Sequence, residues 1–176
     1  MKKIGIFFGS DTGNTEKVSK ILAKNLKSFG YEPEIYNIAN SKKEYLESFN
    51  FLLLGIPTWY YGEAQCDWYD FFNTLKEINF LNKYVGIFGC GDQEDYPEYF
   101  CDAMGILKEI ITKRNANLIG KWSTEGYKFQ RSKALEDEKN FIGLAIDEDR
   151  QPDLTNQRVK NWAKLIVDHI NRIKES

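Results

Sequence analysis

The sequence predicts an α/β fold, a doubly wound parallel sheet of five β units with helices on both faces. Short apolar runs alternate with amphipathic stretches along the chain, the pattern of βαβ units. The apolar runs are nearly continuous, as in strands buried on both sides. Right-handed crossovers that must cover both faces force the strand order to reverse, and a ligand crevice lies at that reversal, beyond the carboxyl ends of the strands.

Ile4–Phe8 is the first strand. It ends at Gly9-Ser10-Asp11, too short for the apolar region of a secretion signal and with no cleavage-like site after it. Val18, Ile21, Leu22, Leu26 and Phe29 follow at helical spacing, and Gly30 stops that helix. Glu34–Ala39 is a weaker, edge-like strand. Phe51–Ile56 is a central strand terminated by Pro57. Trp68, Phe71, Phe72 and Leu75 form a helical face, and Tyr84–Cys90 is the fourth strand. Phe100–Ile111 is a helix with Ala103, Met104, Leu107, Ile110 and Ile111 inward. Asn117–Trp122 and Phe141–Ile146 both have strand character, and 18 mixed polar residues, Ser123–Asn140, separate them. The last helix starts near Asn156 and buries Val159, Trp162, Ala163, Ile166, Ile170 and Ile173, while His169 falls off that stripe and is expected in solvent. With no linker, repeat or low-complexity stretch, residues 1–176 are expected to form one domain.

The 24 basic and 26 acidic side chains leave a net charge of -2, which offers nucleic acid no overall basic footprint. No apolar run approaches the ~18–20 residues of a membrane span. Cys66, Cys90 and Cys101 form no CxxC pair, and with a single histidine a zinc cluster is nearly excluded. Reduced thiols fit a cytoplasmic protein. Aromatic residues make up 15% of the chain, and several lie in loops, off any apolar period, which asks for a planar partner.

Three loops carry the chemistry. Gly9-Ser10-Asp11-Thr12-Gly13-Asn14-Thr15 joins a strand to a helix and offers hydroxyls, an amide and helix N-terminal N–H groups, the equipment for an anion. It contains no GxxxxGK[ST], no GxGxxG and no cation, so a phosphate monoester held by neutral donors fits best. Pro57-Thr58-Trp59-Tyr60-Tyr61-Gly62 sets consecutive aromatics where the chain leaves the sheet, and they cannot all face one core. Gly89-Cys90-Gly91-Asp92-Gln93-Glu94-Asp95-Tyr96-Pro97-Glu98-Tyr99 has four carboxylates and no cation, which makes it a negative rim with Asp92 as a hydrogen-bond acceptor.

Gly9–Thr15, Gly55-Ile56-Pro57-Thr58-Trp59, Gly89-Cys90-Gly91-Asp92-Gln93 and Gly143-Leu144-Ala145-Ile146-Asp147-Glu148-Asp149 together resemble long-chain bacterial flavodoxins, and the resemblance covers essentially the whole chain. It implies the flavodoxin-like strand order 2-1-3-4-5, with the insertion splitting strand five. It implies FMN bound without a covalent link. Ser10, Asp11, Thr12, Gly13, Asn14 and Thr15 would hold the phosphate, with Pro57 and Thr58 close by. By position Trp59 and Tyr96 resemble the two rings that flank the flavin, with Tyr60 and Gly62 in the same loop. Asp92 and the backbone around Tyr99 and Cys101 would meet the pyrimidine edge, with Cys90, Gly91 and Phe100 counted among the cofactor-binding residues, and Asp149 is similar to a residue near the ribityl chain. The Tyr60–Tyr61 peptide is the one implied to turn toward the flavin, which at positive φ costs a tyrosine ~1 kcal/mol or more.

The function implied is a low-potential one-electron carrier rather than an enzyme. An NADPH-dependent flavodoxin reductase would be the donor and redox enzymes the acceptors, with a monomer forming transient complexes and neither nucleic acid nor membrane as partner. A carboxylate ~8 Å from an added electron, at an effective dielectric of ~20, costs ~2 kcal/mol, or roughly 90 mV. Residues 62–72 and 92–102 carry eight acids and no base. They should make reduction difficult and draw basic partners. The alternative is an FMN-dependent NAD(P)H:quinone oxidoreductase on the same fold, for which the chain shows no obvious nicotinamide site. A receiver-type signalling module would need a phosphorylatable Asp where the third strand ends in Pro57-Thr58.

Overall fold

The structure is a computed structural model and describes residues 2–176. In chain order β1 (Lys3–Phe8), α1 (Asn14–Ser28), β2 (Glu32–Asn37), α2 (Lys43–Glu47), β3 (Phe51–Trp59), β4 (Glu63–Ala64), α3 (Cys66–Leu75), β5 (Tyr84–Cys90) and α4 (Asp102–Thr112) come first. They are followed by β6 (Asn117–Ile119), β7 (Trp122–Ser123), β8 (Leu135–Asp137), β9 (Asn140–Phe141), β10 (Leu144–Ile146) and α5 (Thr155–Glu175). The main sheet runs β2-β1-β3-β5, with β6 and β10 both on the far side of β5, and all of these pairs are parallel. β6 pairs with Tyr84–Gly86 and β10 with Phe88–Cys90. They are two halves of one strand position, so the order 2-1-3-4-5 holds with the fifth unit split.

Two apolar layers hold the helices on. On one face Val18, Leu22 and Leu26 of α1 meet Trp162, Ile166 and Ile170 of α5. On the other, Trp68, Phe72 and Leu75 of α3 pack with Met104 and Leu107 of α4. Each layer is anchored by a fully buried tryptophan whose indole N–H is satisfied at 2.7 Å, Trp162 by the Gly120 carbonyl and Trp68 by the Gly55 carbonyl. Gly30 ends α1 as the spacing predicts. At φ +85 it lets its own N–H reach Lys27 O and the Tyr31 N–H reach Leu26 O, each at 3.0 Å.

Several boundaries differ from the sequence expectation. β2 is Glu32–Asn37 because the Asn37 side chain accepts the Ala39 N–H at 2.9 Å and starts a 3₁₀ turn, Ile38–Asn40. α2 was not foreseen, since its five residues bury only Leu46 and show no period. Pro57 does not terminate β3. It stays in register with Cys90, and the strand continues to Trp59 by pairing with β4. A proline lacks only the donor and fits extended backbone. α4 begins at Asp102, with Cys101 at φ +55 before it, so Phe100 and Cys101 precede the helix. Trp122 and Phe141 belong to a separate antiparallel sheet, β7-β9-β8. His169 is half-buried, and burial, then the neighbouring Arg172, lowers its pKa.

The Ser123–Asn140 insertion braces the loop that follows β5. Tyr127 donates its hydroxyl to Ala145 O at 2.6 Å, and Phe129 stacks on Phe100 at 5.5 Å. The Lys128 N–H reaches Gln93 Oε1 (2.6 Å), the Gln130 and Arg131 N–H groups share Pro97 O, and the Lys133 N–H reaches Asp102 Oδ1 (2.7 Å).

Candidate functional site

A cavity of about 450 Å³ opens at the carboxyl ends of β1, β3, β5 and β10. Its lining brings together Ser10, Asp11, Thr12, Asn14 and Thr15, then Pro57, Thr58, Trp59 and Tyr60, then Cys90, Gly91, Asp92, Tyr96 and Tyr99, and finally Glu148 and Asp149.

At one end Gly13, at φ +91, turns the chain into α1 and donates its N–H to Ser10 Oγ at 3.0 Å. The first bond of α1 runs from the Lys17 N–H to Gly13 O, so the N–H groups just before it have no partner within the helix. Thr15 Oγ1 is buried and, among the described residues, has no hydrogen-bond partner beyond the weak Cys90 thiol beside it. Donors without acceptors at a helix N-terminus describe an anion site. Lys17, on the first turn of α1, pairs with Glu148 of the lining at 3.1 Å, so a cation stands at the edge of the cavity although the loop itself carries none.

The opposite end is aromatic. β3 and β4 form a hairpin closed by Tyr60, Tyr61 and Gly62, with Tyr60 at φ +44 and Gly62 at φ +89. Gly62 lies behind the lining, where an added Cβ would stand 2.7 Å from Asp102 Oδ2. Tyr61 packs edge-on against Tyr96 (6.4 Å) and Tyr99 (5.7 Å), joining the two aromatic loops. The Thr58 hydroxyl accepts the Ala103 N–H at 2.9 Å, which ties β3 to the start of α4.

Gly13, Gly62, Phe100 and Cys101 are the expected site residues that do not line the cavity. The Phe100 ring lies among Tyr127, Phe129 and Phe141, and the Cys101 side chain is fully buried. Both precede α4 on a loop whose side chains turn into the core. Burial pushes the Cys90 thiol up to about 12 and raises that of Cys101 as well, so both stay protonated. Glu148 lines the cavity without having been foreseen, though it stands directly before Asp149.

The rim after β5 is not free of cations, as its local sequence suggested. Arg150 reaches back with Nε 3.1 Å from Asp92 Oδ1 and Nη2 2.9 Å from Asp95 Oδ1. Asp147 fixes the same two loops from beneath, accepting the Gln93 N–H (3.0 Å), the Gln93 side-chain amide (2.9 Å) and the Arg150 N–H (2.9 Å). Burial acts to raise the Asp92 pKa, but Arg150 and the Asp95 and Glu94 N–H groups outweigh it and hold it below 3.8. A carboxyl lowered on folding adds stability above its unfolded value and loses it as pH falls through the folded value. The urea midpoint of the wild type should therefore fall more steeply below about pH 4 than that of Arg150→Gln. Parallel curves would contradict the pairing. Asp11, Cys66 and Asp67 also converge, but the Gln65 side-chain amide already donates to Asp11 (3.0 Å) and Asp67 (2.7 Å).

A family model described as flavodoxin matches residues 6–162. The chain is 58% identical to a flavodoxin of Klebsiella pneumoniae over 100% of both chains. It is also 58% identical to flavodoxin 1 of Escherichia coli K12, covering 95% of this chain and 94% of that one. Among solved structures, flavodoxin of Fusobacterium nucleatum bound to flavin mononucleotide superposes with a TM-score of 0.89 at 35% identity, over 96% of this chain and 99% of that one.

Proposed function

We propose that this chain, which belongs to the flavodoxin family, works as a low-potential one-electron carrier on non-covalently bound FMN. The observation that carries this reading is the two-ended cavity. It has a donor-rich helix N-terminus, with the buried Thr15 hydroxyl left without a strong acceptor, at one end and the Trp59 and Tyr96 rings at the other. These residues fit FMN. Ser10, Thr12, Asn14, Thr15 and the first N–H groups of α1 would hold its phosphate, and Asp149 the ribityl chain. Trp59 and Tyr96 would shield the ring from water, while Asp92 and the backbone near Tyr99 accept from and donate to its polar edge. Bound there, FMN supplies the redox chemistry.

The chain's own part is to bind, orient and shield. An NADPH-dependent flavodoxin reductase is the donor and other redox enzymes the acceptors, each meeting a cytoplasmic monomer in short-lived complexes. The exposed Tyr60 and Tyr61 beside the cavity give such partners an apolar landing point.

Apoprotein mixed with FMN should turn yellow and quench flavin fluorescence at a 1:1 ratio. A preparation that takes up no FMN would overturn the reading. The loaded protein should not oxidise NADPH until a reductase is added, and rapid oxidation without one would favour the quinone reductase alternative. Trp59→Ala and Tyr96→Ala should each weaken FMN binding about tenfold, from ring contacts of ~1–1.5 kcal/mol. Fluorescence titration reads this, and wild-type affinity in both variants would exclude the rings from the site.

A further inference from the structure

We propose that Arg150 is a positioning residue that fastens the loop after β5 to the loop after β10, and so sets both the grip on FMN and the ease of its reduction. This deepens the FMN reading and rests on it. The Arg150 guanidinium is shared among three carboxylates of one turn. Nε and Nη2 lie 3.1 and 3.3 Å from the two oxygens of Asp92. Asp95 Oδ1 is 2.9 Å from Nη2 and Glu94 Oε2 is 3.5 Å from Nε. Such a planar fork holds a carboxylate at two points, which a lysine cannot do.

Two consequences follow. Asp92 lines the cavity and accepts the Glu94 and Asp95 N–H groups at 3.0 and 2.9 Å, while its carbonyl accepts the Tyr96 N–H at 3.1 Å. Arg150 therefore locks the turn from which the Tyr96 ring projects. The second consequence is electrostatic. Without the guanidinium, Asp92 and Asp149 would face the cavity together with Glu94 and Asp95 close behind, and every added electron would enter against their unscreened charge. Burial and then the Asp92 charge already raise the Asp149 pKa even with Arg150 in place.

The test compares FMN dissociation constants and redox titrations of the FMN-loaded wild type, Arg150→Gln, Arg150→Lys and the triple variant Arg150→Gln/Glu94→Gln/Asp95→Asn. Arg150→Gln should bind FMN about three- to tenfold more weakly, and its lower midpoint potential should move to more negative values, by less in high salt. Arg150→Lys should restore the potential more fully than the affinity. The triple variant should recover the potential while its affinity stays weak, a separation that a merely structural arginine would not produce. Arg150→Gln with wild-type affinity and potential would overturn the proposal, as would a potential that stays constant across the series. Wild-type protein that binds no FMN would instead overturn the site reading, and this inference with it.

Discussion

Riboflavin, which lacks only the phosphate of FMN, should bind at least ~1,000-fold more weakly than FMN does. Hydrogen bonds to a charged group contribute ~1.5–3 kcal/mol each, so three of them amount to ~4 kcal/mol or more, three powers of ten in affinity. The loop offers more than three donors. They include the hydroxyls of Ser10, Thr12 and Thr15, the Asn14 amide and the first N–H groups of α1, where the helix dipole also favours an anion. Ser10 Oγ accepts the Gly13 N–H and so keeps its own proton to donate. Thr15→Ala should remove ~1.5 kcal/mol or more from FMN binding and leave riboflavin binding nearly unchanged. Fluorescence titration with both flavins reads the difference. Equal affinities would remove the phosphate from this loop.

Trp162→Ala should destabilise the protein by ~3–5 kcal/mol, a large part of the ~5–15 kcal/mol that holds such a domain together. Trp162 is fully buried between α5 and the sheet, its ring 6.0 Å from that of Phe88, with the indole N–H 2.7 Å from Gly120 O. Gly120 sits at φ +91 and closes directly on the ring, where an added Cβ would stand 2.9 Å from the indole. Trp162→Phe should keep most of the packing and lose ~1–3 kcal/mol, because the Gly120 carbonyl is left buried without its donor. Urea unfolding followed by circular dichroism measures both. A Trp162→Ala variant within ~1 kcal/mol of wild type would mean that this layer is not packed as described.

Whether a residue's partners are near or far along the chain explains which parts of the site are legible in the sequence. The Gly9–Thr15 loop could be recognised because its donors are consecutive and follow an apolar strand. Phe100 and Cys101 could not be told from their neighbours Tyr96 and Tyr99. Which residues of an irregular loop turn inward depends on what packs behind them, here Tyr127 and Phe129 from the insertion. Pro57 reads as a stop in the sequence because the β4 strand that extends β3 is only two residues long and has no period of its own.

By itself the sequence determined the succession of the main strands and helices and the donor-rich turn, which rest on periodicity and on residues adjacent in the chain, while Trp59 and Tyr96 are singled out as a pair only by the family resemblance. Only the tertiary structure decided the charge of the site. Arg150 meets Asp92 across 58 positions, and Lys17 meets Glu148 across 131. Coulomb energies depend on separation in space, and a local charge count cannot register a guanidinium that returns from another loop.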